Sequence, residues 1–128
     1  DRGVRIIGMA WKRTRYAVER EHWSVHFNQS HDGAHFAGDG GGPRSVAAPG
    51  NGQWIYLFTP TPDGQLAAER LVDLAKHDYQ LEPNVTFTPD DKWIVFRSNM
   101  HGATHVYAVE LRKSQSLIPD PESLIPNR

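Results

Sequence analysis

The sequence predicts an all-β fold. Short apolar runs recur along it, most of them rich in β-branched and aromatic residues: Val4–Met9, His35–Gly38, Trp54–Phe58, Arg70–Leu74, Trp93–Ser98 and His105–Leu111. Clusters of Pro, Gly, Asp and Asn separate most of these runs, as turns between strands require. One stretch allows a helix: Leu66, Ala67, Leu71 and Leu74 would share a helical face within Gln65–Lys76. Pro62 and Gly64 precede it, however, and Leu71–Leu74 leads into a turn, so a strand is the expectation there too.

The segment Gly38–Gly52 holds six of the 11 glycines and two of the nine prolines, and it predicts a long loop. Residues 112–128 repeat Ser-Leu-Ile-Pro at Ser116 and Ser123, carry three prolines and predict a flexible tail. Residues 1–111 are the expected folded part.

The chain has 128 residues, enough for one modest core. With 14 basic and 15 acidic side chains its net charge is -1, which lacks the basic excess of a nucleic-acid binder. At 38% hydrophobic with 4 tryptophans it is globular in composition, and no apolar run approaches the roughly 18 residues of a membrane helix. The absence of cysteine excludes disulfides, thiolate nucleophiles and thiolate metal sites, and leaves the compartment open between cytoplasm and periplasm. The sequence opens on Asp1 without a leader pattern, as expected of a mature product or a piece of a longer chain.

An internal repeat refines the fold. The unit from Phe87 to Ser98 is a turn followed by an apolar strand, and Gln29 to Gly38 has the same layout. Asp32-Gly33 stands at the first turn where Asp90-Asp91 stands at the second, 58 residues later. Propeller blades repeat every ~40–50 residues, and the glycine-rich loop accounts for the excess. The expectation is therefore antiparallel β-propeller blades, about two to two and a half of them, where a closed propeller needs roughly four to eight.

The segment Phe87–Ser98 resembles the TolB-type propeller repeat. The longer stretch from Trp23 to Leu111 resembles the C-terminal blades of oligogalacturonate lyases, family 22 of the polysaccharide lyases. The matching pieces are Ser24 through Gly33, Gly38-Asp39-Gly40, Trp54 through Phe58, Lys76-His77-Asp78 and Phe87 through Gly102. The resemblance implies a seven-bladed propeller with a divalent metal, usually manganese, at the channel mouth. It also implies cleavage of oligogalacturonides by β-elimination, in which a cation on the uronate carboxylate spreads the charge left when a base removes the C5 proton.

Carried over position by position, His26 falls where the family has a metal-binding histidine. The family's second cluster, Gln-x-x-His-x-His, aligns with Tyr79 through Asn84. Glu82 and Asn84 then occupy the two histidine positions, and Tyr79 the glutamine position. The implied metal set is His26, Glu82 and Asn84, and oxygen donors suit Mn²⁺, with Ca²⁺ or Mg²⁺ as alternatives. Glu82 and Asn84 are two apart, so on a strand they share a side. Asn84 also superposes on His26 under the 58-residue offset, which would bring both to the axis of a propeller.

The family's catalytic histidine and arginine come from earlier blades, and no residue here matches either. For substrate the candidates are His77, Asp78 and Arg97, with Arg44 beside them as a carboxylate partner. In the alternative reading Asp78 instead fixes the His77 tautomer. Asp39 is expected to accept backbone hydrogen bonds in a tight turn. Each of these also has a purely structural reading: a half-buried histidine, a turn acid, a polar loop, an exposed strand arginine.

Two functions remain open on the sequence. One is the C-terminal portion of an oligogalacturonate lyase acting on an acidic oligosaccharide. The other is a non-catalytic TolB-like scaffold, favoured by the loss of the histidine cluster. Either would be completed by the remaining propeller blades or by self-association. The propeller lid of a serine peptidase lacks support, since no Gly-x-Ser-x-Gly motif is present.

Overall fold

The computed structural model describes residues 14–46 and 52–112. The expected strand Val4–Met9, part of the loop after Gly38 and the tail beyond Arg112 lie outside these residues. The described chain is all-β apart from a 3-10 turn at Arg20–His22. Seven strands follow: β1 Phe27–Gln29, β2 Phe36–Gly38, β3 Trp54–Pro60, β4 Leu66–Asp73, β5 Thr86–Phe87, β6 Trp93–His101 and β7 Ala103–Glu110. They form two antiparallel sheets, ordered β1-β2-β3-β4 and β5-β6-β7. The ambiguous Gln65–Lys76 stretch is largely strand β4, paired along its length with β3.

The internal repeat is present bond by bond. Ser30 N–H donates to His35 O at 2.9 Å, and Thr88 N–H to Trp93 O at 2.9 Å. His35 N–H returns to Ser30 Oγ, as Trp93 N–H returns to Thr88 Oγ1. Asp32 accepts from the Ser30 hydroxyl and Ala34 N–H, and Asp90 from the Thr88 hydroxyl and Lys92 N–H. The strand registers follow the same offset, with Asn28 opposite Ala37 and Thr86 opposite Val95. A third latch of this kind, shorter by one residue, joins β3 to β4: Thr61 bonds Asp63 and Gln65, with Gly64 at φ 82°.

Asp91 departs from its counterpart in a useful way. Gly33 has φ 74°, and Asp91 holds the same left-handed conformation at φ 57° despite its side chain. Its carboxylate accepts the N–H groups of His31 and Asp32, at 2.8 and 2.9 Å, and the His31 ring at 3.1 Å. The second turn is thereby clipped to the first. Nearby, Phe87 N–H donates to Asn28 Oδ1 at 2.9 Å, tying β5 to β1.

The core lies between the sheets. Ala37, Ile55 and Leu74 meet Val85, Phe87, Ile94 and Phe96, with Leu57, Tyr107 and Val109 packed around them. Behind the first sheet Tyr56 and Phe58 are also fully buried, in contact with His22 and Phe27. Neither sheet closes on itself, so the described residues establish antiparallel sheets and stop short of a ring.

Candidate functional site

The site is built around a glycine ribbon that leaves β2. Residues 38–42, Gly-Asp-Gly-Gly-Gly, are all buried. A Cβ on Gly38 would fall 2.3 Å from Ser24 Oγ, and one on Gly42 would fall 2.8 Å from Tyr79 Cβ. Gly40 has φ 66°, and a Cβ there would meet the carbonyl oxygens of Gly52 and Trp54 at 2.2 and 2.6 Å. Only glycine fits at Gly40, sterically and by conformation. The ribbon is thus pressed into the protein and carries one side chain, that of Asp39.

Register places Asp39 opposite His26. Phe27 pairs with Gly38, so the next residues outward face each other. Asp39 Oδ1 accepts His26 N–H at 2.8 Å, and Oδ2 accepts Nδ1 of the same residue at 2.8 Å. Asn84 N–H reaches Oδ2 at 3.3 Å, while Tyr79 donates its hydroxyl to the Asp39 carbonyl at 2.8 Å. Burial and the neighbouring Asp39 push the Tyr79 phenol far up, so it stays a neutral donor.

A carboxylate oxygen only accepts, so the His26 proton sits on Nδ1 and neutral His26 presents a bare Nε2. That nitrogen is 3.6 Å from Glu82 Oε2, in a side chain 40% exposed. With His26 neutral two electron-rich atoms face each other, an arrangement that either a proton on Nε2 or a shared metal cation stabilises. Donors each about 2.1 Å from one ion stand at most about 4.2 Å apart, so the spacing fits a common metal. Glu82 also lines a cavity of about 300 Å³, together with Arg44, Asp78, Tyr79 and Gln80.

Glu82 and Asn84 do not lie on a strand. Both precede β5, and Asn84 has φ 53°, so strand alternation does not describe them. Arg97 holds this loop: its Nε–H donates to Glu82 O at 2.8 Å and its backbone N–H to Pro83 O at 3.0 Å.

His77 is turned inward. Its Nε2 is 2.6 Å from the Leu81 carbonyl, which must accept, and its Nδ1 is 2.7 Å from Ser98 Oγ. With its proton on Nε2, a neutral ring accepts the Ser98 hydroxyl at Nδ1, while Ser98 Oγ accepts Met100 N–H. Serine and a backbone carbonyl, rather than Asp78, fix the His77 tautomer. Asp78 instead caps its own turn by accepting Gln80 N–H. Nor is Asp39 in a tight turn: its backbone donors come from His26 and Asn84, 13 and 45 residues away.

The sequence reading assigned Asp39 only a local role. The signal that finds it is the Asp32-Gly33 turn, which, as a hairpin centre, sets residue 26 against residue 39. Among the described residues no three His, Cys, Asp or Glu side chains group into a metal cage. Asn84 meets this site through its backbone N–H on Asp39. Comparison with protein-family models, curated proteins and solved structures finds no match for the chain.

Proposed function

We propose that the chain is the C-terminal portion of a β-propeller oligogalacturonate lyase, cleaving oligogalacturonides by metal-assisted β-elimination. The observation that carries this reading is the His26–Glu82 pair: Nε2 and a carboxylate oxygen 3.6 Å apart, brought together from the segment before β1 and the loop before β5, with the imidazole fixed by a buried aspartate. In this reading His26, Glu82 and Asn84 hold the metal, Mn²⁺ first, with Ca²⁺ or Mg²⁺ as alternatives. The cation, when bound, polarises the uronate carboxylate next to the C–H bond that breaks. Asp39 orients His26, and Arg97 holds Glu82 in place. Asp78 and Arg44, on the cavity wall, meet the acidic oligosaccharide, while His77 braces their loop. The base comes from blades outside this sequence.

The test is an Mn²⁺ titration followed by electron paramagnetic resonance, with His26→Ala and Glu82→Ala beside the parent. Binding that both substitutions abolish supports the site. Binding that survives both removes it. Joined to its remaining blades, the chain should then release unsaturated uronate from trigalacturonate.

The second reading is a non-catalytic propeller scaffold. It is favoured by Glu82 and Asn84 standing at the family's histidine positions, and by the lack of a three-residue cage of His, Cys, Asp or Glu among the described residues. A chain that binds no Mn²⁺ either needs its remaining blades to complete the site or has lost it, and the second outcome is the scaffold.

A further inference from the structure

The hairpin of β6 and β7 carries a histidine on each side of its turn, His101 and His105, and the site described above uses neither. Register puts both on one face. Ser98 pairs with His105 and His101 with Ala103, and a bulge in β6 takes up the residues between. Partners across an antiparallel ladder point to the same side, and so do residues two apart on one strand. Ala103, His105 and Tyr107 therefore share a face of β7, and His101 joins them from β6. His101 and His105 are then diagonal neighbours, whose backbones stand about 7–8 Å apart.

The two imidazoles converge on one phenol. The Tyr107 hydroxyl oxygen lies 2.8 Å from His101 Nδ1, with the ring centroids 5.7 Å apart. The His105 ring stands edge-on to the same phenol at 6.3 Å. Tyr107 is itself fixed from beneath, stacked on buried Phe96 at 5.6 Å. Both histidines are exposed, so neither is spent on the core. When His101 donates Nδ1–H to the phenol oxygen, its Nε2 is left bare. An oxygen that holds one imidazole nitrogen in this way orients the other for a metal ion.

We infer that the hairpin tip binds a late first-row divalent metal ion, Cu²⁺, Ni²⁺ or Zn²⁺, through the imidazoles of His101 and His105, with Tyr107 as the positioning residue. Imidazole nitrogen suits these ions, whereas Mn²⁺, Ca²⁺ and Mg²⁺ favour oxygen, so this site and the His26–Glu82 pair select different metals. Among the described residues no third His, Cys, Asp or Glu completes the pair, so the ion keeps open coordination positions. His101 also lines a cavity of about 220 Å³ with Asp73, Lys76 and Met100, which gives room beside the ion for water or a small ligand. This rests on hairpin register and ring contacts, not on the reading of the His26–Glu82 pair.

The experiment is a Cu²⁺ titration of the full chain by electron paramagnetic resonance, in which splitting by bound nitrogen counts the imidazoles. Cu²⁺ is the probe because it binds such donors tightest of the three. His101→Ala, His105→Ala and Tyr107→Phe are run beside the parent, with circular dichroism confirming the fold of each. The first Cu²⁺ bound by the parent should carry two nitrogens, and either alanine variant should lose that species. Tyr107→Phe keeps the ring that stacks on Phe96, so it should retain two nitrogens while affinity falls about 10–100-fold. A parent whose first Cu²⁺ carries fewer than two nitrogens overturns the inference, as does a two-nitrogen species that survives either alanine. Unchanged affinity in Tyr107→Phe overturns the positioning role. One histidine with one carboxylate gives a single nitrogen, so the His26–Glu82 pair is not counted as this species. Mn²⁺ binding is read separately on the same samples, and the two proposals fail independently.

Discussion

His26 and Asn84, 58 residues apart and equivalent in the repeat, donate their backbone N–H groups to the two oxygens of one carboxylate, that of Asp39. A side chain just beyond β2 thereby ties together the two segments that lead into β1 and β5. Asp39 is fully buried, so each of these bonds replaces water that it has lost.

Asp39→Asn should damage stability and site together. Its amide retains one acceptor but turns an NH₂ toward a donor from His26 or Asn84. The expected loss is about 1–3 kcal/mol by urea unfolding. Mn²⁺ affinity of the folded fraction should fall about 10–100-fold, as it does when a ligand's orienting partner is removed.

Gly40→Ala places a methyl group against two carbonyl oxygens in a left-handed backbone. About 3 kcal/mol or more should be lost, combining strain with overpacking. Gly64→Ala is the control, because it shares a positive φ of 82° but meets nothing within 4 Å. It should cost only the backbone strain, and the difference between the two thermal midpoints isolates the close approach.

His77→Ala should remove about 2–4 kcal/mol, because Ser98 and the Leu81 carbonyl lose their partner inside the protein. Denaturant titration decides the matter. A variant as stable as the parent would return His77 to the substrate side.

Acid should loosen the turns. Hydrogen bonds from Ser30 and Ala34 hold the Asp32 carboxyl below its ordinary value, and those from Thr88 and Lys92 do the same for Asp90. For Asp91 desolvation pushes upward, but the bonds from His31 and Asp32 outweigh it and the net shift is again downward. A carboxyl that is more acidic in the folded chain contributes stability above its unfolded pKa, and that contribution disappears as pH falls through the folded one. Urea midpoints should therefore hold down to about pH 4 and drop below it. Asp91→Asn should be less stable at neutral pH and show a shallower acid limb.

The hairpins were legible because their turns are written locally: a Ser or Thr, an Asp two residues on, and a residue that accepts positive φ. The third latch, Thr61 to Gln65, has the same chemistry but sits off the 58-residue spacing, so a search by period passes over it. The resemblance implies that His26 and Glu82 share a site, whereas the repeat points to Asn84 as the partner of His26. Neither predicts the geometry, because Pro83 and a left-handed Asn84 break the strand that alternation assumes. Asp39 was hidden for another reason. Flanked by glycines, it has no local pattern, and its role depends on register between strands. His77 looked like a polar loop residue because burial of a short segment beneath its own turn leaves no periodic trace.

The buried ribbon from Gly38 to Gly42 has a hereditary consequence. Most single-base changes in a glycine codon append a side chain, and at Gly38, Gly40, Gly41 and Gly42 a Cβ would already lie within 2.8 Å of a neighbouring atom. The gene should therefore drift slowly here while the exposed loops around it diverge. In relatives too distant for ordinary alignment, an aspartate set among glycines, thirteen positions after a histidine, should be the landmark that survives.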